Sequence, residues 1–243
     1  MSGGMTRTLL RVSGADRTKF LHGLLTRDVP ETGLGYAALL SPQGKYLADF
    51  LTFREDDAIF LDVASDLAPG LVKRLSMYKL RADVAIEPTD RPVARGTGEE
   101  APTGAMSDPR PGMGWRHYDG AASDETDWDA VRVEHLVPET GIELIPNESY
   151  ILEMGFERLG GVDFKKGCYV GQEVTARMKH KTELRKGLAR VTGAVVPGEI
   201  TSGGRPAGTI HTISGDRALA YLRFDRADGM ESAAGAVSLD ASG

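Results

Sequence analysis

An α+β fold closed by a small C-terminal antiparallel β-barrel is the architecture this sequence predicts, and three observations predict it. The first 185 residues mix hairpin-like strand pairs with amphipathic helical stretches, without the regular strand–helix alternation of a doubly wound sheet. From Lys186 onward short β-type runs alternate with glycine-rich turns, the texture of a small barrel. No fixed-period repeat is visible in either part.

The elements follow in order. Ser13-Gly14-Ala15-Asp16 has the spacing of a helix N-cap, and Phe20, Leu21, Leu24 and Leu25 repeat on one helical face, so a helix is expected to about Asp28. Tyr36–Leu40 reads as a strand, Ser41-Pro42-Gln43-Gly44 as a turn, and Lys45–Arg54 as the returning strand. Alternation through Tyr46, Ala48, Phe50 and Thr52 places Asp49 on the face opposite those four. Ala58–Val63 is a third strand. Ser65 caps a helix through Leu71, Leu75 and Tyr78, and Val84–Glu87 returns to strand. Residues 97–113 are rich in Gly, Pro, Ser and Ala and read as a linker or mobile loop. Trp115–Tyr118 is a short strand, and Asp124–Leu136 carries Trp128, Val131 and Leu136 at helical spacing, with Trp128 read as core. Gly141–Glu148 is loop-like and Ser149–Leu159 a short helix. Leu188–Val191, Thr209–Ile213 and Ala218–Phe224 are barrel strands. The chain divides into an α+β unit (1–96), the linker (97–113), a second α+β unit (114–185) and the barrel (186–243).

Composition narrows the function. A chain of 243 residues with 41% hydrophobic residues can bury a sizeable core. Its charge of −6 is spread in mixed sign with no Lys/Arg block, so direct nucleic-acid binding is not expected. No apolar run approaches the ~20 residues of a membrane helix, and Met1–Arg11 is too short and polar for a signal peptide. One cysteine permits no internal disulfide, which suits a reducing compartment. A soluble, cytoplasmic protein is expected.

The stretch that carries chemistry is Lys165-Lys166-Gly167-Cys168-Tyr169-Val170-Gly171-Gln172-Glu173, followed by a helical Val174–Lys179. Cys168 lies in a glycine-flanked loop before a helix N-terminus, with two lysines beside it. Each of these features favours thiolate over thiol, the form that attacks electrophiles or ligates soft metals. An inert core cysteine is the bland alternative, but Lys, Gly and Tyr are poor core neighbours. One cysteine cannot hold an iron–sulfur cluster that normally takes four protein ligands. No CxxC exists and the five His are scattered, so a cluster would be shared with a partner or a second copy.

These residues resemble a known family. Lys166-Gly167-Cys168-Tyr169-x-Gly171-Gln172-Glu173 with Arg177 is similar to the signature of the YgfZ-type proteins and their mitochondrial counterparts. Gly14-x-Asp16-Arg17-x-x-Phe20-Leu21, Leu25-Thr26-x-Asp28-Val29, Ser41-Pro42-Gln43-Gly44-Lys45 with Asp49, Tyr78-x-Leu80-Arg81-x-x-Val84 and Gly208-x-Ile210-x-x-x-Ser214 extend the likeness over nearly the whole chain. The resemblance implies a ring of subdomains like those of the glycine-cleavage aminomethyltransferases, plus the barrel, around a central hole that binds tetrahydrofolate. It also implies a role in assembly or repair of iron–sulfur proteins, reached through assembly or client partners, with effects on tRNA modification that are indirect. Cys168 would act as a redox-active thiol, a transient acceptor or a ligand of a shared cluster. Glu134 stands where aminomethyltransferases carry a pterin-binding glutamate; Asp49 is a second acceptor, and Arg81 and Arg177 are partners for the folate tail. The resemblance implies an accessory factor in the bacterial cytoplasm, or in the mitochondrial matrix of a eukaryote. A true aminomethyltransferase and a non-catalytic folate-binding scaffold are the alternatives.

Overall fold

The computed structural model describes residues 6–180 and 183–240. The elements are β1 (Arg7–Ser13), α1 (Arg17–His22), β2 (Gly35–Leu40), β3 (Tyr46–Glu55), β4 (Ala58–Ala64), α2 (Ala68–Lys79), β5 (Ala85–Pro88), β6 (Ala94–Gly96), β7 (Met106–Ser107), β8 (Trp115–His117), α3 (Trp128–His135), α4 (Gln172–His180), and then β9 (Lys186–Gly193), β10 (Gly198–Ser202), β11 (Arg205–Ser214), β12 (Arg217–Arg223), β13 (Met230–Ser232) and β14 (Gly235–Leu239). A five-stranded antiparallel sheet runs β2-β3-β4-β1-β5, a three-stranded sheet runs β6-β8-β7, and the last six strands close a barrel in the order β10-β11-β12-β9-β14-β13. Pairing of Thr201 with Glu231 and of Ser202 with Met230 closes it.

The large sheet is covered on both faces, so β2 and β4 are buried throughout and read as continuous apolar runs rather than alternating ones. One face packs Ala48, Phe50, Ile59 and Leu61 against Leu21 of α1 and Leu71 and Leu75 of α2. The other packs Leu51, Phe53 and Phe60 against Trp128, Phe156 and Tyr169. The barrel has its own interior, built on Val191, Ile200, Ile210 and Leu222.

Several elements differ from expectation. β1 was not expected; it pairs with both β4 and β5 and lies at the heart of the large sheet. α1 is shorter, ending at His22. Residues 97–113 are not a linker between units, because β6 and β7 both pair with β8 and join the two sides of that segment in one sheet. Asp108, Arg110 and Met113 are buried, and Asp108 N–H donates to Gly114 O at 2.8 Å. Glycine and proline there shape tight turns, not a tether. Ser149–Leu159 is a chain of turns instead of a helix, interrupted by Gly155 at φ +76°.

The strand carrying Asp49 shows the most consequential difference. Leu39 faces Ala48 but Leu40 faces Tyr46, so Leu47 is an extra residue in β3. This bulge shifts the alternation by one place. Tyr46 therefore lies on the same side as Asp49, not opposite it.

Candidate functional site

Residues 165–171 form the loop that enters α4, and Lys166 and Tyr169, on either side of the cysteine, turn their side chains inward. The Lys166 ammonium donates to His22 O and Leu25 O, each at 2.7 Å, just past the C-terminal turn of α1. Cations are favoured where helix carbonyls lack intrahelical partners. Its side chain is only 1% exposed and lies 3.3 Å from Asp28 Oδ1. Burial draws the Lys166 ammonium below its ordinary range, and Asp28 opposes that shift. Asp28 also meets His22 Nδ1 at 2.7 Å. On the other side, Tyr169 is buried in the main core, and burial pushes its phenol up to about 12.

Cys168, between these two anchors, is exposed. Gly171 has φ +84°, and a Cβ there would sit 2.6 Å from Ser41 O and 2.9 Å from Leu40 Cβ. Only glycine lets the loop lie this close to the β2–β3 turn. Gly171 O then receives the Thr175 hydroxyl at 3.3 Å, starting α4. Gly167 packs against His22, whose Nε2 is 2.9 Å from where a Cβ would stand. Gln172 opens α4, and Glu173 pairs with Arg177 on its exposed face at 3.3 Å. The thiol is thus presented to solvent on a loop fixed at three points. One expectation is corrected: the Lys166 charge is spent on α1 and Asp28, and of the two lysines only Lys165 stands exposed.

The residues expected to hold folate do not converge. Asp49 is 5% exposed and accepts from Tyr36 OH at 2.9 Å, Tyr46 OH at 2.7 Å and Thr140 Oγ1 at 2.7 Å. Burial, then the Asp49 charge, raises both phenols well above their ordinary value, so they stay protonated and donate. Glu134 lies at the joint with the barrel, bonded to Arg217 at 2.7 Å. Arg81 is exposed just beyond α2, and Arg177 is on the outside of α4. No hydrogen bond or ion pair joins any two of the four.

The centre of the molecule is closed by charged side chains that sequence reasoning did not single out. Arg7 pairs with Asp62 at 2.6 Å, Arg110 with Asp108 at 2.6 Å, and Arg116 with Asp108 at 3.3 Å. Burial alone would raise the Asp108 carboxyl, but Arg110 and Arg116 outweigh it and hold it down to about 2. Arg132 pairs with Glu139 at 2.8 Å and with Glu143 at 2.9 Å, and donates to Thr212 of β11 at 2.8 Å, joining α3 to the barrel. The cavity left among Arg7, Asp49, Arg95, Arg110, Arg116 and Arg132 measures about 20 Å³. That is room for a water or so, not for a pterin ring. As placed, these residues do not fit tetrahydrofolate at the centre. A larger cleft of about 830 Å³ lies between the body and the barrel, lined by Lys45, Tyr150, Glu153, Met178, Arg185 and Tyr221. Among the described residues no group of three or more His, Cys, Asp or Glu side chains could hold a metal ion.

The fold is that of the aminomethyltransferases. The glycine cleavage system aminomethyltransferase T of Bartonella henselae superposes with a TM-score of 0.71, over 97% of this chain and 83% of that one, at 11% identity. Residues 185–243 match the model of the CAF17 C-terminal β-barrel domain. The mouse (Mus musculus) protein named iron–sulfur cluster assembly factor IBA57, mitochondrial, is 33% identical, with the match covering 92% of this chain and 77% of that protein. Its human (Homo sapiens) counterpart is 32% identical over the same shares. The chain belongs to the IBA57/CAF17 family.

Proposed function

We propose that this protein is an iron–sulfur cluster assembly factor in which Cys168 lends one thiolate to a cluster shared with a partner. The observation that carries this reading is the outward thiol between two inward anchors, Lys166 and Tyr169. The names of the mouse and human relatives support the cluster-assembly class.

The chemistry is ligand exchange. The Cys168 thiol loses its proton to solvent, and the thiolate forms an Fe–S bond as a weaker ligand leaves that iron. The cluster is cargo. This chain contributes one cysteine, so the remaining ligands come from an assembly or client protein or a second copy. The fixed loop limits the orientational freedom lost on docking. No step passes through folate. An aminomethyltransferase reading is less favoured, because Asp49 is buried and already accepts from three hydroxyls and Cys168 stands where that family carries an acidic residue. Any effect on tRNA modification would pass through iron–sulfur client enzymes. A single free thiol suits a reducing compartment such as cytoplasm or mitochondrial matrix.

Anaerobic reconstitution of the full chain with iron, sulfide and excess glutathione, which supplies the thiolates a partner would lend, followed by its visible absorption and by electron paramagnetic resonance after reduction, tests the reading. Cys168→Ser is expected to abolish the cluster signal while leaving the melting temperature unchanged, since the side chain is exposed. Equal cluster yield in Cys168→Ser would refute it. Titration with tetrahydrofolate in parallel is expected to show no uptake at the centre, and binding lost in Asp49→Asn but kept in Cys168→Ser would reinstate the folate reading.

A further inference from the structure

Helix α2 presents a basic surface that also carries exposed apolar side chains. It contains no acidic residue, although the protein carries a charge of −6. Ala68, Leu71 and Leu75 face the core. At helical spacing the outer stripe is Lys73, Ser76, Met77 and Leu80, with Arg74 and Lys79 on its flanks and Arg81 just beyond. Met77 is 69% exposed and Leu80 90%, the two most exposed large apolar side chains among the described residues. None of the side chains of Lys73, Arg74, Lys79 or Arg81 makes a hydrogen bond or ion pair among the described residues. Of the nearby acids, Asp16 accepts the Asp83 N–H at 2.8 Å and Asp83 accepts the Ala15 N–H at 3.2 Å, while Asp66, on the turn before α2, lines a cleft with Arg74.

Leu80 is also strained. It sits at φ 45°, ψ −105°, outside the left-handed well in which Leu136 rests at φ 50°, ψ 46°. The Asp16–Asp83 contacts hold the following turn in place. An exposed leucine gains nothing from burial in this fold, yet it occupies a conformation that L-residues avoid. Strain retained without a folding reward points to a role outside the fold.

We infer that α2 with Leu80 and Arg81 is a docking surface for an acidic segment of a partner protein. Met77 and Leu80 form the apolar centre, and the four cations form a rim that attracts carboxylates. Two apolar side chains, Met77 and Leu80, bordered by Ser76 and Lys73, are too small a face to enter a lipid surface. The surface is independent of what Cys168 does.

Fluorescence anisotropy of the full chain with a labelled synthetic helical peptide, glutamates flanking a leucine seam, tests the inference. Binding is expected to weaken at least tenfold in K73E/R81E, where both residues are exposed, and to weaken as salt rises from low to physiological. Leu80→Gly is expected to weaken binding while leaving the melting temperature equal or higher, which separates docking from folding. Unchanged peptide binding in K73E/R81E would overturn the inference. So would no measurable peptide binding by the wild type, or binding of anionic phospholipid vesicles or single-stranded RNA in preference to the peptide.

Discussion

Replacing Lys166 by methionine keeps the stem of the side chain and removes its charge, and so isolates what the ammonium does for the cysteine loop. Three interactions are lost: the bonds to His22 O and Leu25 O and the pair with Asp28. A hydrogen bond from a charged donor contributes roughly 1.5–3 kcal/mol. The Leu25 carbonyl is partly buried and bears that cost in full; the His22 carbonyl is exposed and recovers a water. Asp28 is half exposed, so its pair is worth under ~1 kcal/mol. Relief from burying the ammonium offsets part of the total. The net loss is about 2 kcal/mol, which for a chain of this size lowers the melting temperature by about 4–8 °C. Differential scanning calorimetry measures the global effect, and amide hydrogen exchange over 165–171 the local one. A variant that melts within about 1 °C of wild type, with unchanged exchange in that segment, would show that Lys166 does not anchor the loop.

Two further outcomes are expected. Arg110 and Arg116 hold the Asp108 carboxyl down to about 2 in the folded chain, against its ordinary 3.8 when unfolded. A depressed carboxyl stabilises fully above its unfolded pKa and ceases to as pH falls through its folded one, so about 2 kcal/mol disappears between roughly pH 4 and pH 2. Urea unfolding across that window should show Asp108→Asn to be less stable at pH 7 and flatter in its acid slope; an identical slope would contradict this assignment. Gly171→Ala places a methyl against Ser41 O at a positive φ and should cost at least about 2 kcal/mol, read as a fall in the urea midpoint, whereas an unaltered midpoint would mean that the loop does not rest on the β2–β3 turn.

The β2–β3 hairpin and the cysteine loop before α4 were legible because both are local. The turn chemistry of Ser41–Gly44 and the glycines around Cys168 act within a few residues. The C-terminal barrel was legible as a texture, although only three of its six strands were singled out. What escaped was non-local. The extra Leu47 in β3 shows only when β3 is paired with β2, and it alone brings the Tyr46 hydroxyl to Asp49. β1, with Leu9 and Leu10 side by side and Arg7 and Arg11 around them, shows no clean alternation, and its central place follows only from pairing with β4 and β5. Arg132 carries no local signal in the sequence, because one of its partners is 80 residues away on β11. Glu134, beside it, took its expected role from family likeness, while its structural partner is an arginine of the barrel. Glycine and proline in 97–113 suggested slackness, but the same residues make the turns that bury Arg110.

Because Lys166 and Tyr169 are both committed to the interior, the sulfur between them has no retreat. With no second cysteine in the chain, an oxidant that finds it cannot produce an internal bridge. Damage there ends either in a mixed disulfide with another molecule or in successive oxyacids, the later of which are irreversible. The arrangement that offers the thiol to a visitor therefore also ties its lifetime to the redox state of the fluid around it.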